Sequence, residues 1–177
     1  LLVAADALAA NNLPRAEAAL RARLKQRPTD IAAIRMMAEL AGRIGRNRDA
    51  ENLLRRALEL APGFDAARHN LALALHRHGN PAEALENIEI LLAHEPANAS
   101  YAILKAAILG RLGDYSAAVA MYREILARFP RQSKVWMSLG HALKTLGKQD
   151  ESIDAYRESL RREPTLGSAW WSLANLK

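Results

Sequence analysis

The sequence predicts an all-α chain, a solenoid of stacked helix pairs. Three observations carry that reading. Proline recurs at Pro28, Pro62, Pro96, Pro130 and Pro164, each step 34 residues. Glycine recurs at Gly45, Gly79, Gly113 and Gly147 with the same spacing of 34. Small residues fill two columns at that period, Ala4, Ala38, Ala72, Ala106, Gly140 and Ala174, then Ala16, Ala50, Ala84, Ala118 and Ser152. A leucine column follows at Leu24, Leu58, Leu92, Leu126 and Leu160. A repeated unit of this size is one supersecondary element that cannot bury its apolar face alone, so stacking on neighbours supplies the core.

Each unit reads as a first helix, A, and a second, B. The A helices are expected near 1–10, 31–44, 65–78, 99–112 and 133–146, with a sixth beginning near 168. The B helices are expected near 14–27, 48–61, 81–94, 115–129 and 149–162. Asn80-Pro81-Ala82-Glu83 offers a capping Asn, Pro at the first helical position and an acid in the first turn. Asp30, Asp65, Asn98 and Ser133 stand as candidate caps of A helices. Each A helix ends at a Gly able to take the left-handed conformation, and Asn11 serves in the first unit. The prolines stop each B helix from running into the next A helix.

The small columns let the A and B helices of a unit approach closely, and the leucines fill the gaps between units. Leu20, Leu54, Ile88, Tyr122 and Tyr156 form a further B-helix column, read as core rather than cofactor contact. The units fall at about 1–30, 31–64, 65–98, 99–132 and 133–166, with 167–177 opening a sixth A helix, so 1–177 reads as a single array. There is no cysteine, hence no disulfide framework, which fits a reducing, cytoplasmic setting. No apolar run approaches the roughly 18 residues of a membrane span. The apolar start Leu1-Leu2-Val3-Ala4-Ala5 lacks a basic region, and Ala4 is already in register, so it reads as a first helix rather than a signal peptide. Both ends read as boundaries of a fragment.

The stretch Trp136-Met-Ser-Leu139-Gly140-His-Ala-Leu143, followed by Gly147, Ala155-Tyr156, Leu160 and Pro164, resembles the tetratricopeptide repeat, and the resemblance covers essentially the whole chain. It implies a right-handed superhelix of helix–turn–helix repeats, with the A helices lining a concave groove. It also implies a protein-interaction scaffold rather than an enzyme, with no cofactor of its own.

No catalytic constellation stands in these residues. There is no Gly-rich phosphate loop, no His-Glu-x-x-His and no nucleophile elbow. His69 and His76 share a helix face, but seven residues place them about 10 Å apart along the axis, too far for one metal. Acid pairs such as Asp150-Glu151 open a B helix, where they complement the dipole.

Charge is distributed unevenly. The chain carries 25 basic and 19 acidic residues, a net charge of +6. The A segments hold Arg35, Arg43, Arg68, Arg77, Lys105, Arg111, Lys134, Lys144 and Lys177 against Asp6, Glu39 and Asp65. The remaining 16 basic and 16 acidic residues cancel, so the whole excess lies on the A segments. With those helices lining the groove, the expected ligand is an acidic, extended peptide or protein segment. The groove face is expected to present Arg35, Glu39 and Arg43, then His69, Leu73, His76 and Arg77, then Ile103, Ala107, Gly110 and Arg111, then Met137, His141, Lys144 and Thr145. Asn70, Lys134, Trp171 and Asn175 complete the candidate binding residues. Arg43, Arg77 and Arg111 make a ladder at one-repeat spacing, which serves equally as a ligand contact or as a complement to helix C-termini.

The family's carboxylate clamp needs Lys and Asn at matched positions of adjacent repeats. Here those positions hold Arg35 with Glu39 and His69 with Leu73, so that function is not transferred. An asparagine ladder of the kind some glycosyltransferase-linked arrays carry is represented by Asn70 alone. Without stacked aromatics or a dense basic run, the charge does not point to nucleic acid.

The closing string Trp171-Ser172-Leu173-Ala174-Asn175-Leu176-Lys177 resembles the junction of bacterial tetratricopeptide proteins that continue into a sulfotransferase domain. That resemblance implies a PAPS-dependent enzyme whose catalytic domain lies beyond Lys177, with these repeats as its substrate-recruiting arm and that domain as an intramolecular partner. A third reading is a structural array that self-associates through its apolar ends.

Overall fold

The computed structural model describes residues 1–175; Leu176 and Lys177, with the last cation of the A-segment tally and the end of the sulfotransferase-like string, lie outside the described residues. Eleven α-helices and no strand occur among the described residues. They are α1 (Leu2–Ala9), α2 (Leu13–Gln26), α3 (Ile31–Arg43), α4 (Asn47–Leu60), α5 (Asp65–His78), α6 (Pro81–His94), α7 (Ala99–Leu112), α8 (Tyr115–Arg128), α9 (Ser133–Thr145), α10 (Gln149–Arg162) and α11 (Gly167–Ala174). Odd-numbered helices are the A helices and even-numbered ones the B helices. Among the described residues no helix is long and apolar enough to cross a membrane.

The turns form where the sequence placed them. Gly45, Gly79, Gly113 and Gly147 have φ between +73° and +91°, and Asn11 takes φ +53°. The Asn tolerates that region because its short polar side chain limits the steric cost. Two caps follow the sequence reading: Asp30 accepts the Ala33 N–H at 3.1 Å, and Asn98 accepts those of Ser100 and Tyr101 at 3.0 and 3.3 Å. Two do not. Phe64 occupies the cap position of α5, leaving Asp65 in the first turn. Gln132 precedes α9 without a side-chain cap, and the Ser133 hydroxyl is drawn to the Glu163 carboxylate at 2.5 Å.

The chain divides into two compact units, one from Leu1 to Leu91 and one from Leu92 onward. In the first, Ala4, Leu8, Ala16, Leu20, Ala33, Met36 and Leu40 form a buried cluster. In the second, Ala106, Ala118, Tyr122, Leu126, Val135, Leu139 and Leu143 do the same. The second small column is buried throughout, and so is the Leu20, Leu54, Ile88, Tyr122 and Tyr156 column. In the first small column Ala4, Ala38, Ala72 and Ala106 are buried, whereas Ala174 is exposed. The leucine column is fully buried only at Leu126 and Leu160, and half-buried at Leu24, Leu58 and Leu92.

One repeat position closes the interhelix loop by a side-chain hydrogen bond. Trp136 Nε1 donates to the Pro130 carbonyl at 2.9 Å, and Trp170 Nε1 donates to that of Pro164 at 2.8 Å. Arg68 stands in the same register and donates to the Pro62 carbonyl at 2.6 Å. A guanidinium here replaces an indole because both supply an N–H on a long, partly apolar stem.

Candidate functional site

In the first unit a cavity of about 620 Å³ opens between α3 and α5, with α4 behind it. Arg35, Glu39 and Arg43 line it from α3 at the spacing of successive helical turns, with Ala38 and Gly42 between them. Asn47, Ala50 and Leu54 come from α4. Asn70, Leu73, Ala74, Arg77 and His78 come from α5. The site exists because the small residues Ala38, Gly42, Ala50 and Ala74 fill no space at the wall. Of the residues expected from sequence, it gathers Arg35, Arg43, Asn70 and Arg77.

The charged groups are not equivalent. Arg43 donates from one guanidinium nitrogen to the Leu8 carbonyl at 2.6 Å and from another to Glu39 at 2.6 Å. It therefore satisfies a backbone oxygen at the end of α1 and neutralises its own helix neighbour. Arg35 lies 3.8 Å from the other Glu39 oxygen. Arg77, in the same register as Arg43, makes no hydrogen bond or ion pair among the described residues, and neither does Arg111. The ladder thus divides: one rung holds a helix end and two rungs are open. His78 Nδ1 lies 2.5 Å from Glu51 at the edge of the cavity.

His69 and His76 do not line this cavity; both are half-buried on α5. Burial lowers the His69 pKa below its ordinary value, which favours the neutral ring.

In the second unit the structure brings another group of the expected residues together, across α9 and α11. His141 Nε2 lies 3.3 Å from the Ser172 hydroxyl, and its ring meets Tyr156 edge-on at 5.4 Å. Burial, and secondarily the charge of Lys144, lower its pKa. Lys144 Nζ donates to the Asn175 carbonyl at 3.0 Å, and Asn175 Nδ2 donates to that of Trp171 at 2.7 Å. These polar atoms are spent on holding α11. Trp171 is 70% exposed, and Lys134 and Arg111 are exposed on their helices.

Two A-segment cations serve other purposes. Arg68 holds the Pro62 carbonyl and reaches the Asn87 amide at 3.4 Å. Lys105 lines a separate crevice with Met121, Glu124 and Arg128 of α8. Asn47, Leu54 and His78 are lining residues that the sequence reading left out. Asn47 lies on a B helix, where the charges cancel, so charge counting gave it no weight. Its signal was positional, two residues beyond the turn at Gly45. Among the described residues no group of three or more His, Asp or Glu side chains is placed to hold a metal ion.

No curated protein sequence matches the chain. Among solved structures, it resembles PilW, titled a widely conserved type IV pilus biogenesis factor, with a TM-score of 0.88 at 20% identity over 99% of this chain and 83% of that one. It also resembles YrrB, titled a TPR protein with an unusual peptide-binding site, with a TM-score of 0.78 at 14% identity over 96% and 87% of the two chains. A MamA fragment from Desulfovibrio magneticus RS-1 matches with a TM-score of 0.83 at 15% identity over 93% of each. At these identities the likeness speaks for the fold. Residues 133–166 match a tetratricopeptide-repeat model, and residues 2–135 match the model described as the cytochrome c-type biogenesis protein H TPR domain. The chain is a tetratricopeptide-repeat protein and belongs to the family of that domain.

Proposed function

We propose that the chain is a protein-interaction module that binds an extended acidic segment of a partner protein, with the α3–α5 cavity of the first unit as its principal contact. The observation that carries this reading is Arg77, a guanidinium without a partner beside a cavity whose one carboxylate, Glu39, already pairs with Arg43 and lies near Arg35. An anion entering there meets an excess of positive charge and an apolar wall, which favours a peptide over a free ion. YrrB, of the same fold, is titled for its peptide-binding site, which supports the class of ligand. The family's description directs the search for that partner to proteins of c-type cytochrome biogenesis. A cytoplasmic setting belongs to the proposal and is checked by fractionation of the tagged protein.

The test is fluorescence anisotropy with labelled acidic, neutral and basic peptides of equal length. The expected result is saturable binding of the acidic peptide alone, weakening as salt rises because exposed charges are screened within about 10 Å at 0.1 M ionic strength. Equal binding of the three, or binding insensitive to salt, contradicts it.

The recruiting-arm reading for a PAPS-dependent sulfotransferase draws on the closing string, whose Trp171 is 70% exposed on α11. Sequencing the parent gene past Lys177 decides it: a sulfotransferase domain there establishes it, and any other sequence removes it.

A further inference from the structure

We infer that the α3–α5 cavity recognises two side chains on one face of an extended, uninterrupted stretch of chain, a carboxylate and an aliphatic side chain two positions apart. The inference rests on the peptide-binding reading and specifies its ligand.

The charges at this place limit the ligand to one anion. Arg43 is held by the Leu8 carbonyl and Glu39, and Arg35 lies within ion-pair distance of the same Glu39. A carboxylate placed between those two arginines would meet the Glu39 carboxylate. Arg77 alone offers an uncommitted fork, which matches one carboxylate bidentately. A run of acids gains little more here than a single one.

The cavity wall selects the second side chain. Next to Arg77 the cavity is lined by Leu73, Ala74, Ala50 and Leu54, with no Phe, Tyr or Trp, and its one ring, His78, is held at the edge beside Glu51. That surface suits a branched aliphatic side chain. The Asn47 and Asn70 amides also line the cavity and have no hydrogen-bond partner among the described residues. Each offers both donors and an acceptor to the N–H and C=O groups of an extended backbone. A chain terminus is disfavoured, since an α-carboxylate and an acidic side chain would compete for one free guanidinium.

The experiment is selection from a display library of random peptides fused to carrier at both ends, panned on the full chain and on Arg77→Gln and Leu73→Ser variants of confirmed helicity. The expected outcome is enrichment of Asp or Glu two positions from Leu, Ile or Val. The acid preference is lost with Arg77→Gln and the aliphatic preference with Leu73→Ser. Resynthesised winners should bind Arg77→Gln about tenfold or more weaker, the scale of one lost bidentate charged pair. Acid enrichment with no aliphatic preference two positions away overturns the inference and leaves the acidic-segment reading standing. Tighter binding of a resynthesised winner when its C-terminus is left free than when it is amidated also overturns it. Enrichment of no acidic peptide overturns both.

Discussion

The ring of Tyr156 occupies the space that a side chain at residue 140 would need. A Cβ built on Gly140 would lie 2.7 Å from Tyr156 Cε1 and 2.8 Å from Cδ1. Elsewhere in the column an Ala faces the B helix, as Ala38 does in the second repeat, where Leu54 stands in the position of Tyr156. A Tyr at this place does not by itself demand glycine, since the fourth repeat pairs Ala106 with Tyr122; it is the placing of the Tyr156 ring that excludes a methyl at residue 140. The Ser152 hydroxyl adds a buried hydrogen bond to the Gly140 carbonyl at 2.9 Å, which fixes the backbone at that point.

Gly140→Ala should lower stability, although Ala is the better helix former by about 1 kcal/mol. The ring is 1% exposed and has no room to retreat, and overpacking of this kind costs about 1–3 kcal/mol. Tyr156→Leu alone should also destabilise by leaving a void. The double variant, which recreates the Ala–Leu pairing of the second repeat, should lose less than the sum of the two. Urea denaturation of the four proteins measures this; additive losses would show that the two positions do not share a contact.

Ala118→Leu should destabilise far more than Arg128→Ala. Ala118 is 0% exposed at a helix–helix contact, and the added volume costs about 1–3 kcal/mol. Arg128 lies over the Phe129 ring at 5.5 Å, a surface cation–π contact worth about 0.5–1 kcal/mol. Equal melting temperatures would show that the small column is not the packing seam.

The repeat was legible because turns, small residues and large apolar residues each answer to a local requirement recurring every 34 positions. The left-handed turns and the Asp30 and Asn98 caps follow from that. Caps failed where a side chain had a stronger partner, as Ser133 has in Glu163. Charge on the A helices was legible as a sum but not as a direction. Arg68 is in register with Trp136 and Trp170, and Lys105 with Met37, Leu71 and Leu139, so both share positions whose other occupants serve packing or loop closure. The division of the arginine ladder could not be read at all. Arg43 is spent on Leu8, a contact 35 residues away that depends on how the repeats stack.

Acid should weaken the fold in two stages. Burial lowers the folded-state pKa values of His69 and His141 from the ordinary 6.5, so the unfolded chain takes up protons first as pH falls, and stability declines below about 6.5. His69→Gln and His141→Gln should flatten that decline. At lower pH the Asp30, Glu83 and Glu158 carboxylates lose their contribution as they protonate. Their folded pKa values are depressed by the Ala33 N–H with Arg23, by Arg55 and by Arg162 respectively. Denaturant midpoints between pH 8 and 5 check the first stage; a midpoint that rises on acidification would contradict it.

The two arginines of the first unit's ladder should separate stability from binding. Arg43→Gln removes the bond to the Leu8 carbonyl and the pair with Glu39, and should cost about 1–2 kcal/mol, the range of hydrogen bonds to charged groups less exposure. Arg77→Gln breaks no such bond and should cost only the helix-end complement of α5, at most about 0.3–1 kcal/mol. Equal thermal shifts in the two variants would mean that Arg77 also holds the fold.

If Arg77 receives an acidic segment, reversing its charge must weaken binding. The measurement is titration of one acidic peptide into the native chain, Arg77→Glu and Arg15→Glu. Arg15 is exposed on α2, and its side chain makes no hydrogen bond or ion pair among the described residues, so its reversal changes net charge equally. It is a better control than Arg55 or Arg123, which bridge neighbouring B helices through Glu83 and Glu151. Arg77→Glu should weaken binding by more than about tenfold, the scale of a charge reversed against its ligand, and Arg15→Glu should leave it nearly unchanged. Equal losses in the two variants, or none in Arg77→Glu, would contradict that role of Arg77.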